Sequence, residues 1–196
     1  MPVTYILDFA DGTADQYDAV VERMQLGGKT PPGALFHCAG PTETGWRVMD
    51  VWESSDAFQS FAQEKIAPLS AEQGLNPPEI RRLEVGQLRR GADEKITFAQ
   101  VIYIPDVTRE MFSALDAQVL GDAGFPPEGC VFHVIGPYEG GQYVMDAWTS
   151  EQARDDLIEN RVKPAVQAAG MERRPTYEDL TVHNTLRHDA ATGAAA

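Results

Sequence analysis

Apolar and polar residues alternate in two short segments, one at the start of the chain and one near its middle. In the first segment the apolar face consists of Val3, Tyr5, Leu7 and Phe9. In the second segment the matching face consists of Phe98, Gln100, Ile102 and Ile104. Because successive side chains of a strand point to opposite faces, both segments are predicted to be strands.

A helix is predicted after each of these strands, because apolar residues then recur at helical spacing. These residues are Tyr17, Val20, Val21 and Met24 in the first case, and Phe112, Leu115 and Val119 in the second. Hairpins are predicted at 34–40 with 45–53, and at 130–136 with 141–149. A second helix and a last strand follow in each half, the strands near 79–88 and 176–186. Pro68 and Pro164 fall inside the second helices and are predicted to kink or split them.

The two halves of the chain repeat one order of elements. Phe-His-Cys-Ala-Gly-Pro at 36–41 returns as Phe-His-Val-Ile-Gly-Pro at 132–137, and the motif at 48–52 returns at 144–148. We therefore predict one unit over residues 1–90 and a second over 96–187, with an exposed linker at 91–95 and a disordered tail at 188–196. The order β-α-β-β-α-β is that of the ferredoxin-like unit, and the fold class is α+β. The two sheets are expected to pack face to face as a pseudo-dimeric α+β barrel, since each would otherwise leave one face uncovered.

Composition narrows the range of partners. The chain of 196 residues has a formal net charge of −14, and such a field repels nucleic acids and anionic membranes. No apolar run reaches the roughly 20 residues of a membrane span, and no secretory signal is recognised, so a cytoplasmic protein is expected. Cys38 and Cys130 do not occupy equivalent positions of the repeat, so we predict free buried thiols rather than a disulfide or a metal site.

The predicted hairpins bring histidine and aspartate together. With Gly40 opposite Gly45, one face of the first hairpin carries Leu35, His37, Trp46, Val48, Asp50 and Trp52. The other face carries Phe36, Cys38, Arg47, Met49 and Val51. The second hairpin repeats the first face with His133, Val144, Asp146 and Trp148. The mostly apolar set is assigned to the helix layer, and the set with histidine and aspartate to the interior of the barrel.

These faces suggest two pairs with acid–base chemistry. His37 with Asp50, and His133 with Asp146, are predicted to be diagonal neighbours across the hairpins. A carboxylate beside an imidazole fixes its tautomer and raises its basicity, which suits a general base near neutral pH. The flat, apolar walls of a ligand site would come from Trp46, Trp52, Trp148, Leu35, Val48 and Val144. In the alternative interpretation the two pairs only satisfy hydrogen bonds in a closed core.

The segments Gly-Trp-Arg-Val-Met-Asp-Val-Trp-Glu-Ser at 45–54 and Gly-Gln-Tyr-Val-Met-Asp-Ala-Trp-Thr-Ser at 141–150 lead from a strand directly into a helix. In this the chain resembles the dimeric α+β barrel superfamily, in particular proteins like the antibiotic biosynthesis monooxygenases. Family members are often homodimers of one unit, so the chain looks like a single-chain version that allows further homo-oligomerisation.

The resemblance implies a monooxygenase that needs no metal or bound organic cofactor and oxidises an aromatic or polyketide-like molecule. His37 or His133 would be the base, and Asp50 or Asp146 would orient it. Three alternatives stay open: a proton-transfer isomerase or cyclase at the same site, a non-catalytic barrel that binds a ligand or haem through His37 or His133, and a structural protein without a pocket.

Overall fold

A computed structural model describes residues 1–92, 94–121, 124–170 and 174–188 of the chain. It divides into two compact units. The first unit consists of residues 1–84 together with those from Leu180 onward, and the second consists of residues 85–179.

The first unit is one antiparallel sheet with helices. Its elements are β1 (Val3–Ala10), α1 (Ala14–Met24), β2 (Ala34–Thr42), β3 (Gly45–Trp52), α2 (Ser55–Phe61), a π-helical segment (Ala62–Ile66), α3 (Ala67–Glu72) and β4 (Glu79–Glu84). A short strand from the end of the chain, which we number β10 (Asn184–Thr185), completes the sheet. The order across the sheet is β10-β2-β3-β1-β4.

The second unit has the same architecture. Its elements are β5 (Gln87–Arg90), β6 (Phe98–Ile104), α4 (Arg109–Leu120), β7 (Cys130–Tyr138), β8 (Gly141–Trp148), α5 (Glu151–Leu157), a π-helical segment (Ile158–Val162), α6 (Lys163–Ala168) and β9 (Thr176–Thr181). Its sheet runs in the order β5-β7-β8-β6-β9. The α+β class and the two ferredoxin-like βαββαβ units predicted from the sequence are therefore confirmed.

The last strand of each repeat is interrupted, which the sequence did not reveal. The predicted strand at 79–88 is β4 followed by β5, and β5 pairs with β7 in the second unit. The predicted strand at 176–186 is β9 followed by β10, and β10 pairs with β2 in the first unit. Each unit therefore takes one edge strand from the end of the other repeat. Residue 93 of the predicted linker and residues 189–196 of the predicted tail lie outside the described residues.

The second helix of each unit continues through its proline. The backbone N–H of Ala67 bonds to the carbonyl of Ala62, five residues earlier, and Lys163 bonds to Ile158 in the same way. Pro68 and Pro164 follow directly, in the first turn of α3 and α6. Each predicted break is thus a π-helical widening of one turn, a feature common at functional sites.

The helices cover the sheet face that carries the histidine and aspartate. In the first unit one apolar cluster joins Tyr17 of α1 and Phe58 of α2 to Trp46, Val48 and Trp52 of the sheet. The prediction that this face turns away from the helices is wrong. Both faces are buried, since Cys38, Met49 and Val51 of the other face are fully inaccessible to solvent. The polarity of the two faces therefore does not indicate which of them packs against the helices.

Serine caps place the second helix of each unit directly after the hairpin. The side chain of Ser54 accepts a hydrogen bond from the backbone of Ala57, and Ser150 does so from Ala153. Such a cap satisfies one of the free N–H groups at a helix start. The strand-to-helix segments identified in the sequence therefore have the structure expected of them. In the described part of the chain, no helix is long and apolar enough to cross a membrane.

Candidate active site

The hairpin register brings each histidine directly opposite its aspartate. His37 pairs with Asp50 between β2 and β3, and His133 pairs with Asp146 between β7 and β8. The predicted register was off by two residues, because the strands extend to Thr42 and Tyr138. A shift of two residues leaves each side chain on its face, so the predicted pairs are closer than the diagonal contact expected.

Both ring nitrogens of His37 are engaged. Nδ1 lies 2.7 Å from Oδ1 of Asp50, and Nε2 lies 2.7 Å from the hydroxyl of Tyr17. A carboxylate only accepts, so Nδ1–H donates to Asp50 and the tyrosine hydroxyl donates to Nε2. The amide of Asn184, on β10, donates to the same hydroxyl at 3.0 Å. Burial raises the pKa of Tyr17, and the hydrogen bond from Asn184 opposes this only in part.

Aromatic side chains fill the rest of this site in the first unit. The ring of Trp46 lies 5.1 Å from that of Tyr17 and 5.2 Å from that of His183. Tyr5, opposite Asp50 on β1, stacks on Phe58 with ring centroids 3.7 Å apart. The remaining cavity is about 60 Å³. It has room for a few water molecules at most, so this unit is close-packed around its histidine.

In the second unit the corresponding histidine has different surroundings. Nδ1 of His133 lies 2.5 Å from Oδ1 of Asp146. Nε2 is buried and has no hydrogen-bond partner among the described residues. Tyr17 bonds through its backbone to Thr13, the N-cap residue of α1, and Phe112 bonds in the same way to Thr108, the N-cap residue of α4. Phenylalanine thus stands where the first unit has its tyrosine, and it has no hydroxyl to offer.

A polar pair replaces the stacked aromatic pair of the first unit. Gln100 lies opposite Asp146 on β6, as Tyr5 lies opposite Asp50 on β1. The guanidinium of Arg154 donates to Oε1 of Gln100 at 2.8 Å, and Nε2 of Gln100 lies 3.5 Å from Oδ2 of Asp146. Both side chains are buried, with Arg154 6% and Gln100 1% exposed. A chain of hydrogen bonds therefore runs from Arg154 to His133.

The second unit is also the more open one. His133 and Asp146 line a cavity of about 130 Å³ that also contacts Phe112. A cleft of about 590 Å³ is lined in part by the same residues, among them Asp146 and Trp148. Its outer part carries Lys163, Gln167 and Tyr177. A volume of this size is in the range of small-molecule sites, which are mostly apolar with a few polar groups.

The structure places most of the predicted ligand-contacting residues beside a cavity. Trp46, Val48 and Trp52 line the cavity of the first unit, and Val144 and Trp148 line that of the second. Leu35 is the exception. A β-bulge between Ala34 and Phe36 carries Leu35 out of the regular pairing, and Ala34 lines the cavity instead. These cavities lie between the sheet and the helices of one unit, not on the face to which the sequence assigned them.

Four residues at the sites were not predicted to have a role there: Tyr17, Phe112, Gln100 and Arg154. One signal was present in the sequence, since Gln100 and Arg154 occupy positions that are aromatic in the first repeat. Both cysteines are free and buried, as predicted. Burial raises the pKa of each thiol above its ordinary value. Within the described ranges no group of three or more His, Cys, Asp or Glu side chains is arranged to hold a metal ion.

Comparison with known proteins identifies the fold. No protein-family model matches the sequence, and no curated protein matches it either. A "putative monooxygenase" from Lactobacillus acidophilus has a similar structure, with a TM-score of 0.69 and 12% identity over 95% of this chain and 96% of that one. One from Fusobacterium nucleatum, also described as a putative monooxygenase, gives a TM-score of 0.66 and 11% identity over 95% and 94% of the two chains.

Chlorite dismutase from Candidatus Nitrospira defluvii, in complex with imidazole, is similar with a TM-score of 0.57 and 12% identity over 94% of this chain and 90% of that one. These proteins share the fold of the dimeric α+β barrel superfamily, and the present chain has this fold, with two ferredoxin-like units in tandem. At such low identities the likeness concerns the fold alone.

Proposed function

We propose that this chain, with the dimeric α+β barrel fold, is a small-molecule enzyme whose active site lies in the second unit. His133 is the general base, and the reaction is an oxidation of the cofactor-independent monooxygenase type. The observation that carries the proposal is the free Nε2 of His133, buried beside a cavity while Nδ1 is held by Asp146.

The pair fixes which nitrogen can act as a base. Since Asp146 accepts the proton of Nδ1, the neutral ring has its lone pair on Nε2. A carboxylate partner stabilises the imidazolium that forms when Nε2 takes up a proton. In the first unit the corresponding lone pair, on Nε2 of His37, accepts a hydrogen bond from the hydroxyl of Tyr17. His37 and Asp50, predicted from the sequence as a second catalytic pair, therefore have a structural role in this proposal.

Trp148 supplies a hydrogen-bond donor for the substrate. Its side chain is 1% exposed, it lines both the cavity and the cleft, and its indole N–H has no partner among the described residues. An unsatisfied buried donor costs about 1–3 kcal/mol. An oxygen atom of a bound molecule would remove that cost, and the N–H would stabilise negative charge that develops on it.

The proposed substrate is therefore flat, largely apolar, and carries an acidic C–H group whose carbanion is conjugated with a carbonyl or phenolic oxygen. Nε2 of His133 removes the proton, and the carbanion adds to dioxygen to form a peroxide anion. The imidazolium returns its proton to give a hydroperoxide, which loses water as a new carbonyl group forms. One methylene group and one dioxygen molecule thus yield one carbonyl group and one water molecule, and the base is regenerated.

Anthrone, a tricyclic ketone with an acidic methylene group, is a suitable probe for this reaction. We expect the purified protein to accelerate oxygen consumption and anthraquinone formation. His133→Ala should abolish the acceleration while the circular dichroism spectrum and Tm show a folded protein. His37→Ala, the matched variant of the first unit, should keep it. Equal activity of wild type and His133→Ala would contradict the proposal.

Deuterium exchange, measured beside oxygen consumption, separates the related reactions. An isomerase or cyclase at this site would exchange the methylene protons of a bound ketone with deuterated water without consuming oxygen. Chemistry of that kind also begins with removal of a proton by His133, so the residue assignment would stand while the oxidation failed.

The free nitrogen also favours a second candidate function, the non-catalytic binding of a ligand or haem. Nε2 of His133 fits the requirements of a haem ligand, whereas Nε2 of His37 is occupied by Tyr17. Haem added to the purified protein would then give a Soret band that is lost in His133→Ala and kept in His37→Ala.

A further inference from the structure

We infer that Gln100 and Arg154 are positioning residues for the base formed by His133 and Asp146. Neither touches the proposed reacting atoms, and each acts through the aspartate. The catalytic meaning of this inference rests on the proposed function. Its structural content, control over the protonated nitrogen of His133, can be tested without any substrate.

The chemistry of Arg154 decides how Gln100 is oriented. A guanidinium group has only donors, so the atom of Gln100 that meets it at 2.8 Å must be the carbonyl oxygen Oε1. The amide nitrogen of Gln100 is then directed to Oδ2 of Asp146. With Oδ2 facing this donor, Oδ1 faces Nδ1 of His133. The arginine thereby holds both oxygens of the aspartate in fixed directions.

Arg154 is itself held in place from several sides. Its guanidinium contacts the carboxylates of Asp155 at 2.7 Å, Glu151 at 3.2 Å and Asp179 at 3.3 Å. It also lies 4.5 Å from the centroid of the Phe98 ring. An arginine with partners for its donors and an aromatic ring beneath it loses little further freedom on bonding to Gln100. The orientation of Gln100 is therefore set by a rigid group.

The fold does not need this polar pair, because the first unit does without it. Tyr5 lies opposite Asp50 where Gln100 lies opposite Asp146. Phe58 bonds through its backbone to the N-cap residue Ser54, as Arg154 does to Ser150. Tyr5 and Phe58 stack in these positions with their ring centroids 3.7 Å apart, and they fill the space. A buried arginine and glutamine are costly to desolvate, and they occur beside the histidine that has a free nitrogen.

The decisive variant transplants the aromatic pair of the first unit into the second. In the full chain, Gln100→Tyr combined with Arg154→Phe removes the polar pair but keeps a packing that the fold accommodates elsewhere. Long-range proton–nitrogen NMR of 15N-histidine-labelled protein, with the His133 signals assigned by His133→Gln, reports which ring nitrogen carries the proton. We expect wild type to show His133 with the proton on Nδ1, and the double variant to show a mixture of both tautomers.

Activity and rescue complete the test. On anthrone we expect kcat to fall about 10–100-fold in the double variant, as is typical when the residues that orient a catalytic or ligating histidine are lost. The single variant Arg154→Lys keeps a donor for Oε1 of Gln100, so it should keep most of the tautomer preference of wild type. Tyr5→Phe in the first unit should change neither readout. If the double variant does not fold, Arg154→Met alone provides the comparison.

A folded variant with an unchanged tautomer of His133 would overturn the inference. If instead the tautomer changes but the wild-type protein does not oxidise anthrone, the positioning role stands and the proposed oxidation fails. The two ideas therefore fail separately.

Discussion

Tyr17 and Phe112 occupy the same position of the first helix in their respective units and differ by one hydroxyl group. That hydroxyl donates to Nε2 of His37, whereas Nε2 of His133 has no partner in the part of the chain that the structure describes. Two sites with the same pair of histidine and aspartate therefore differ in chemistry. One is a closed hydrogen-bonded core, and in the other the imidazole that we propose as the base lines a cavity.

Phe112→Tyr should close the second site. The added hydroxyl would donate to Nε2 of His133, and one such bond stabilises a protein by about 0.5–1.5 kcal/mol. We expect a higher urea midpoint together with loss of the proposed activity on anthrone. Full activity in this variant would show that Nε2 of His133 is not the base.

Tyr17→Phe is the reverse change in the first unit. It leaves Nε2 of His37 and the amide of Asn184 without the tyrosine hydroxyl, and buried groups left unsatisfied cost about 1–3 kcal/mol. We expect urea denaturation to show this loss of stability, with activity on anthrone retained. A variant as stable as wild type would show that water replaces the hydroxyl.

The two cysteines should be unreactive in the folded protein. Burial raises the pKa of Cys38 and Cys130, and the thiolate is the reactive form. Dithionitrobenzoate at pH 8 should therefore label neither thiol of the native protein, and both once guanidinium chloride has unfolded it. Rapid labelling of the native protein would show that one of the two sites opens to solvent.

Stability should fall in alkaline solution. Burial raises the pKa values of Cys38, Cys130 and Tyr17 in the folded state. Their contribution to stability is therefore complete at any pH below the pKa values that these groups have in the unfolded chain. Above about pH 9 the unfolded thiols lose protons that the folded state keeps, and each such group lowers stability by about 1.4 kcal/mol per pH unit. The urea midpoint should therefore be lower at pH 10 than at pH 8. The double variant Cys38→Ala with Cys130→Ala should show a smaller difference.

Gly33 and Gly129 should resist substitution. Their φ angles of +83° and +77° favour glycine, and a Cβ atom would lie 2.9 Å from that of Ala57 and 2.6 Å from that of Ala153 respectively. Each glycine thus permits the close approach of the following helix, α2 or α5. We expect Gly33→Ala and Gly129→Ala each to cost at least about 1–2 kcal/mol in urea denaturation. Gly140→Ala, with no atom near its Cβ, is the matched control for the backbone strain alone.

The sequence was sufficient to predict the ferredoxin-like order and the pairing of His37 with Asp50 and His133 with Asp146. Period-two and helical patterns locate strands and helices, and the repeat shows each element twice. The helix-facing side of the sheet could not be chosen in this way. Its polar groups are satisfied by partners such as Tyr17, whose own position in an amphipathic helix looks like that of any core residue.

The difference between the two sites depends on contacts that join distant segments. Arg154 on α5 meets Gln100 on β6, 54 residues earlier in the sequence. No local pattern links them. Comparison of the repeats shows only that two aromatic positions became polar together. The interrupted last strands were missed for a similar reason, since β5 and β10 differ from their neighbours in pairing partner rather than in composition.

The pairing of β10 with β2 has a consequence for synthesis of the chain on the ribosome. The first unit takes its edge strand, and with it Asn184, which binds the hydroxyl of Tyr17, from residues that follow the second unit in the sequence. Its sheet stays incomplete until the second unit has been translated, whereas β5 is available before the rest of the second unit emerges. The half of the protein that is translated first is therefore the last to acquire all its strands.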